Sequence, residues 1–211
     1  MTAIIGASGT GKTTLTKLLL GLYTPTEGEL TIGGIPLCPE NVVLWRSRTG
    51  VVLQDDQLLS GTVADNIAFQ SGDMDLERIE QAATFAGLHD DIRRMPMGYL
   101  SLVGDLGLTF SSGQKQHLLI ARALYRKPDV LLFDEGSAHL DPVSEDQLAG
   151  LLANIPCTRI VIAHRPSWVR RADRVLELSD GELIDVTQSW RKNEDSRLPA
   201  SIEQFDLAQQ T

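Results

Sequence analysis

The stretch GASGTGKT, Gly6 to Thr13, constrains the fold of this chain more than any other. It fits the pattern G-x-x-x-x-G-K-[ST], follows the apolar run Ala3 to Ile5 and opens a run of helix-forming residues. Strand, glycine-rich loop and helix in that order make a phosphate cradle. The glycines let the backbone curl until successive N–H groups and the helix N-terminus face one point. Lys12 then reaches the outer phosphates and the Thr13 hydroxyl suits a magnesium ion. Gly6, Ala7, Ser8, Gly9, Thr10, Gly11 and Thr14 complete the candidate phosphate contacts.

The rest of the chain alternates apolar runs with helical stretches, the pattern of an α/β fold with a mainly parallel sheet around a P-loop NTPase core. Further strands are expected at Thr49 to Leu53, Val130 to Phe133, Arg159 to Ile162 and Val175 to Leu178. GELTIGGIPL and LELSDGELIDV read as hairpins with glycine at the turns. Residues 56 to 127 read as an inserted, mainly helical subdomain in which DLERIEQAATFAG stops at Gly87. The expected main domain spans 1 to 187. From about Gln188 to 211 the chain turns polar and loses periodicity, as a loose or weakly helical tail does.

The second chemical signal is VLLFDE, an apolar strand that delivers Asp134 toward a metal and Glu135 toward an attacking water. Alone it is weak, because acidic residues often end strands; behind a phosphate loop it gains meaning. Composition removes other classes. No apolar run approaches the ~18 residues of a membrane span. A formal net charge of -9 opposes nucleic-acid binding, which needs a surplus of Lys and Arg. Cys38 and Cys157 lack metal-ligand spacing and read as packing thiols of a reducing compartment. The start MTAIIGASG shows no signal peptide.

Together these residues resemble the ATP-binding cassette of ABC transporters. VVLQDD resembles that family's glutamine loop with Gln54, FSSGQ its signature with Ser111, Ser112, Gly113 and Gln114, SAHLD its D loop ending at Asp141, and VIAHR its switch with His164. All fall in the family's order over residues 1 to about 186. The resemblance implies ATP and Mg²⁺ as ligands. Thr13, Gln54 and Asp134 would stand at the metal, Lys12, Glu135 and His164 at the chemistry, and the signature and Asp141 would face a nucleotide held by a second cassette. It also implies a transmembrane partner at the cytoplasmic face of a bacterial inner membrane. Leu58, Leu59 and Val63 to Phe69 would be its docking surface, or else core of the helical subdomain.

Two signature positions depart from the family: its usual leading Leu is Phe110 and its first Gly is Ser112, which adds a side chain where backbone and nucleotide approach. A finer resemblance, to exporters of bacteriocins and double-glycine-leader peptides, rests on GVVLQDDQLLSGTVADNIAF, SLVGDLG and DEGSAHLD. Relatives run tens of residues before the phosphate loop and supply β-strands and an aromatic that stacks on adenine. Here Met1 to Ile5 precede it, so a reduced antiparallel β part and a missing stacking residue are expected. Two alternatives stay open: a truncated cassette without transport activity, and a soluble non-transport cassette ATPase, which would call for a basic face or a coiled-coil insertion.

Overall fold

The computed structural model describes residues 1–69, 74–103, 110–134, 142–163 and 165–192. In chain order the elements are β1 (Thr2–Ile5), α1 (Lys12–Leu19), β2 (Thr31–Ile32), β3 (Ile35–Pro36), α2 (Val42–Ser47), β4 (Thr49–Val52), β5 (Gly61–Thr62), α3 (Val63–Ile67), α4 (Leu76–Phe85) and α5 (His89–Arg94). A single 3-10 turn (Gly98–Leu100) leads to β6 (Leu102–Val103). Then follow α6 (Ser112–Tyr125), β7 (Val130–Asp134), α7 (Pro142–Ala153), β8 (Thr158–Ile162), α8 (Pro166–Arg170), β9 (Arg174–Ser179), β10 (Glu182–Asp185) and α9 (Thr187–Lys192).

The main sheet has six strands in the order β10-β9-β1-β8-β7-β4. All neighbours run parallel except β10, which returns antiparallel from β9 through the Asp180–Gly181 turn. Apolar runs such as TAII and VLLFD are buried because helices cover the sheet, as parallel sheets require. Parallel order has a functional result. The carboxyl ends of β1, β4, β7 and β8 open on one edge, where α/β sheets bind ligands.

The expected hairpins appear at β2–β3 and β9–β10, and each expected core strand is present within one residue at either end. Helix α4 stops at Gly87 as its sequence indicates: Gly87 takes φ 68°, its N–H donates to Thr84 and that of Leu88 to Ala83. Helices α3, α4 and α6 pack together, and α6 also packs on β4, so this one helix joins the helical region to the sheet. The β5–β6 ribbon within that region has no signal in the sequence, being two residues per strand. Helix α9 packs on β9 and buries Trp190 to 8% exposure, so tertiary packing continues past Gln188 to Lys192.

The stretch Val63 to Phe69 is core rather than surface. Val63, Ala64, Asn66, Ile67 and Ala68 are buried and Leu58 packs against the core they join, whereas Asp65 and, at 44%, Leu59 are exposed. Partners 35 or more residues downstream decide this: the Val63 N–H donates to the Ser101 carbonyl, and Thr62 pairs with Leu102.

Candidate nucleotide-binding site

The loop between β1 and α1 is held open by backbone chemistry. Gly6 leaves the sheet so close to β9 that a Cβ there would lie 2.5 Å from the Leu178 carbonyl oxygen. Gly11 caps α1 in the left-handed region (φ 101°) and no side chain bonds the first amides of the helix. Those N–H groups therefore stay available to an anion. The Lys12 ammonium is buried and donates to the carbonyls of Gly6 and Ala7, both at 2.7 Å. Burial lowers its pKa, an effect the charge of Asp134 partly offsets.

Four chain segments meet at this point. A cleft of about 340 Å³ is lined by Ser8, Gly9, Gly11, Lys12, Thr13, Thr14, Gln54, Asp134 and Ile162. Burial pushes the Asp134 carboxyl up; Lys12 pulls it down and Asp55 adds a further upward push. A carboxylate that burial and a second acid make costly to ionise, with the Lys12 ammonium beside it, suits a cation. The donors at hand are a hydroxyl, an amide and a carboxylate, the hard oxygen set that magnesium prefers. Asp55 is a residue that the motif pattern does not single out. Its neighbour Asp56 is structural: it accepts the Leu53 N–H at 2.8 Å and closes the turn around Gln54.

The signature region stands apart from that cleft, since none of Ser111, Ser112, Gly113 and Gln114 lines it. Ser111 is the N-cap of α6. Its hydroxyl accepts the Gln114 N–H at 3.2 Å, the Gln114 amide oxygen accepts the Ser111 N–H at 3.2 Å, and Gln114 Nε2 donates to Asp91 at 3.2 Å. This capping box satisfies two backbone groups at the start of the helix.

Glu135, Asp141 and His164 lie outside the described residues. The described residues around them contain a feature that motif reading missed. Glu145, on α7, is 3% exposed and accepts from the Arg165 guanidinium and the Ser167 hydroxyl. The helix after Asp141 is thereby fastened to the residues after His164. A sequence signal did exist: Glu145 sits at the start of a helix whose positions 148, 149 and 152 form its buried face.

Residues 1–138 match the ABC transporter family. The chain is 44% identical over 176 residues to the colicin V secretion/processing ATP-binding protein CvaB of Escherichia coli, covering 83% of this chain and 25% of that protein. It is 43% identical over 185 residues to the toxin RTX-III translocation ATP-binding protein of Actinobacillus pleuropneumoniae, covering 86% and 26%. Among solved structures, a bacterial Atm1-family ABC exporter with ATP bound superposes with a TM-score of 0.82 at 33% identity, covering 98% of this chain and 36% of that one. The chain thus spans about a quarter of the length of the curated relatives it matches.

Proposed function

The chain belongs to the ABC transporter family, and on that premise we propose that it is the ATP-binding and ATP-hydrolysing cassette of an exporter. It would drive a peptide or small protein outward through a separate membrane-spanning part, acting at the cytoplasmic face of a bacterial inner membrane. The observation that carries this is the cleft, where an uncapped helix start, Lys12, Gln54 and Asp134 converge from three segments. Relatives named for colicin and toxin secretion support the class of cargo. No described helix is long and apolar enough to cross a membrane.

In this reading the cassette, placed from sequence at 1–187, runs on through α9 to Lys192, about 56–127 is its helical subdomain, and the remainder to 211 is a polar extension. Lys12 exchanges its two loop carbonyls for phosphate oxygens, and the bare amides of α1 take the rest of the triphosphate. Thr13, Gln54 and Asp134 would hold Mg²⁺, which when bound neutralises phosphate charge. Glu135 orients or deprotonates the attacking water and His164 contacts the γ phosphate. Ser111 and the amides of Ser112, Gly113 and Gln114 receive the γ phosphate of a second cassette, with Asp141 at the same interface. Leu59, Leu100 and Leu102, exposed around the β5–β6 ribbon, form the face offered to the membrane partner.

ATP turnover by the purified chain tests the reading. Glu135→Gln is expected to bind nucleotide and to abolish turnover; equal turnover with wild type removes Glu135 from its role. In a Cys38→Ser, Cys157→Ser background also carrying Glu135→Gln, Ser111→Cys is expected to crosslink to Thr10→Cys of a second chain when ATP is present. Failure to do so refutes the sandwich. A chain that binds ATP and turns none over is a cassette without transport activity.

A further inference from the structure

The cap at the start of α6 is completed by a residue of another helix. The Gln114 amide closes the capping box in only one of its two orientations. In that orientation Oε1 accepts the Ser111 N–H at 3.2 Å, and Nε2 donates at 3.2 Å to the carboxylate of Asp91 on α5. Turned about, the amide would set its NH2 against the Ser111 N–H, donor against donor. A carboxylate only accepts, so Asp91 holds Gln114 the right way round. Asp91 also accepts from Arg94 at 3.1 Å and is partly exposed, so its contact with Gln114 can open without stranding a buried charge.

The first turn of α6 carries no acid of its own. Asp91, 23 positions before Gln114, supplies a negative charge beside a helix start that favours one. Two effects then act in the same direction. The box keeps the Ser111 and Gln114 amides occupied from within the chain, and the Asp91 charge opposes a second anion at the same helix end. We propose that Asp91 is a positioning residue that, through Gln114, keeps the start of α6 closed on itself and so weakens its hold on the phosphate carried by a second copy of this chain. A weaker hold lets the two copies part after turnover. This rests on the two-cassette sandwich proposed above.

The sign of the effect separates this role from a merely structural one. A lost structural contact would loosen Ser111 and weaken pairing, whereas a lost latch strengthens it. Asp91→Ala removes acceptor and charge; Asp91→Asn keeps an acceptor and removes only the charge. In the nucleotide-free monomer, Asp91→Ala is expected to speed amide exchange at Ser111 and Gln114, read by NMR, by about threefold or more and to leave residues 76–85 unchanged. In a Glu135→Gln chain with MgATP, sedimentation is expected to show Asp91→Ala lowering the dissociation constant of the pair by about 2-fold to 10-fold, the worth of one net hydrogen bond. Asp91→Asn is expected to lower it by a smaller factor that shrinks with added salt, and it carries the association measurement if Asp91→Ala does not fold. On a Gln114→Ala background, Asp91→Ala is expected to gain less than it gains alone, because the two residues act together. The inference is overturned if the Asp91 variants pair no more tightly than the chain that keeps Asp91. It is equally overturned if Asp91→Ala leaves exchange at Ser111 and Gln114 unchanged, or gains as much without Gln114 as with it. Chains that bind MgATP and never pair, with Asp91 or without it, overturn the proposed sandwich, and this inference with it.

Discussion

Two helices in this protein begin where phosphate is expected, and they begin differently. Helix α1 starts on Gly11 with no side chain at its first amides, next to a buried ammonium. Helix α6 starts on Ser111, whose hydroxyl and whose partner Gln114 already close a capping box. The first end is incomplete on its own and gains most of its hydrogen bonds from a ligand. The second is complete on its own and gains less. An anion at α6 has to displace or share an existing cap, which suits a contact that forms and breaks during a cycle, whereas α1 suits a contact that persists.

The largest break in this comparison comes from Lys12→Ala. Removing one partner of a buried charge pair costs about 2 to 5 kcal/mol, so nucleotide affinity is expected to fall on the order of 100-fold or more by titration. Ser111→Ala is expected to leave the affinity of the monomeric chain unchanged; equal losses in the two variants would erase the distinction. Gly6→Ala comes next. Its Cβ would meet the Leu178 carbonyl at 2.5 Å, whereas at Gly9 (φ 80°) an added Cβ meets nothing within 4 Å. Overpacking at Gly6 is expected to cost about 1 to 3 kcal/mol, and at Gly9 only the ~1 kcal/mol of left-handed backbone, read from denaturant midpoints.

Ser111→Ala measures the cap itself, at about 1 kcal/mol or a Tm drop of roughly 2 to 4 °C, while Ser111→Gly is expected to cost a few tenths. The smallest effect is a gain. Burial raises the Asp134 pKa above the ordinary carboxylate range, so its ionised form opposes folding at higher pH. Asp134→Asn is therefore expected to raise the Tm of the nucleotide-free chain at pH 8. The gain should shrink as pH falls through the native pKa of Asp134 and vanish below the ordinary carboxylate range. An unchanged gain across that range would mean that packing, not charge, sets it.

What the sequence reveals here follows from locality. The loop at Gly6 to Thr13, the Gly87 stop and the strands are legible because each is decided within a few residues. Asp134 is read from an apolar strand that ends in acid behind a phosphate loop and Gln54 through family order, and the parallel sheet then explains why strands far apart in sequence deliver them to one edge. Val63 to Phe69 is ambiguous in sequence because so short an apolar run looks the same in a core and on a docking face; Ser101 and Leu102 settle it. The hydrogen-bonded roles of Glu145 and Asn66, as distinct from their burial, escape pattern reading for the same reason. Their partners stand 20 and 56 positions away, at Arg165 and Arg122.

Strand β1 lies at the middle of the sheet, paired on one side with β8 at Thr2↔Ile160 and on the other with β9 at Thr2↔Arg174. During synthesis, therefore, the phosphate loop gains its sheet neighbours only after residues 160 and 174, far downstream of it, have been made. Pairings of such sequence separation form slowly and leave apolar strands exposed to aggregation meanwhile. Gly6 lies against the Leu178 carbonyl, so the cradle reaches its final form only when β9 joins β1. Once it does, ATP at a hundred times its dissociation constant adds about 2.7 kcal/mol to the folded state alone. Nucleotide bound at this loop would thus act as a late and selective chaperone, rewarding only molecules in which β1 has met β9.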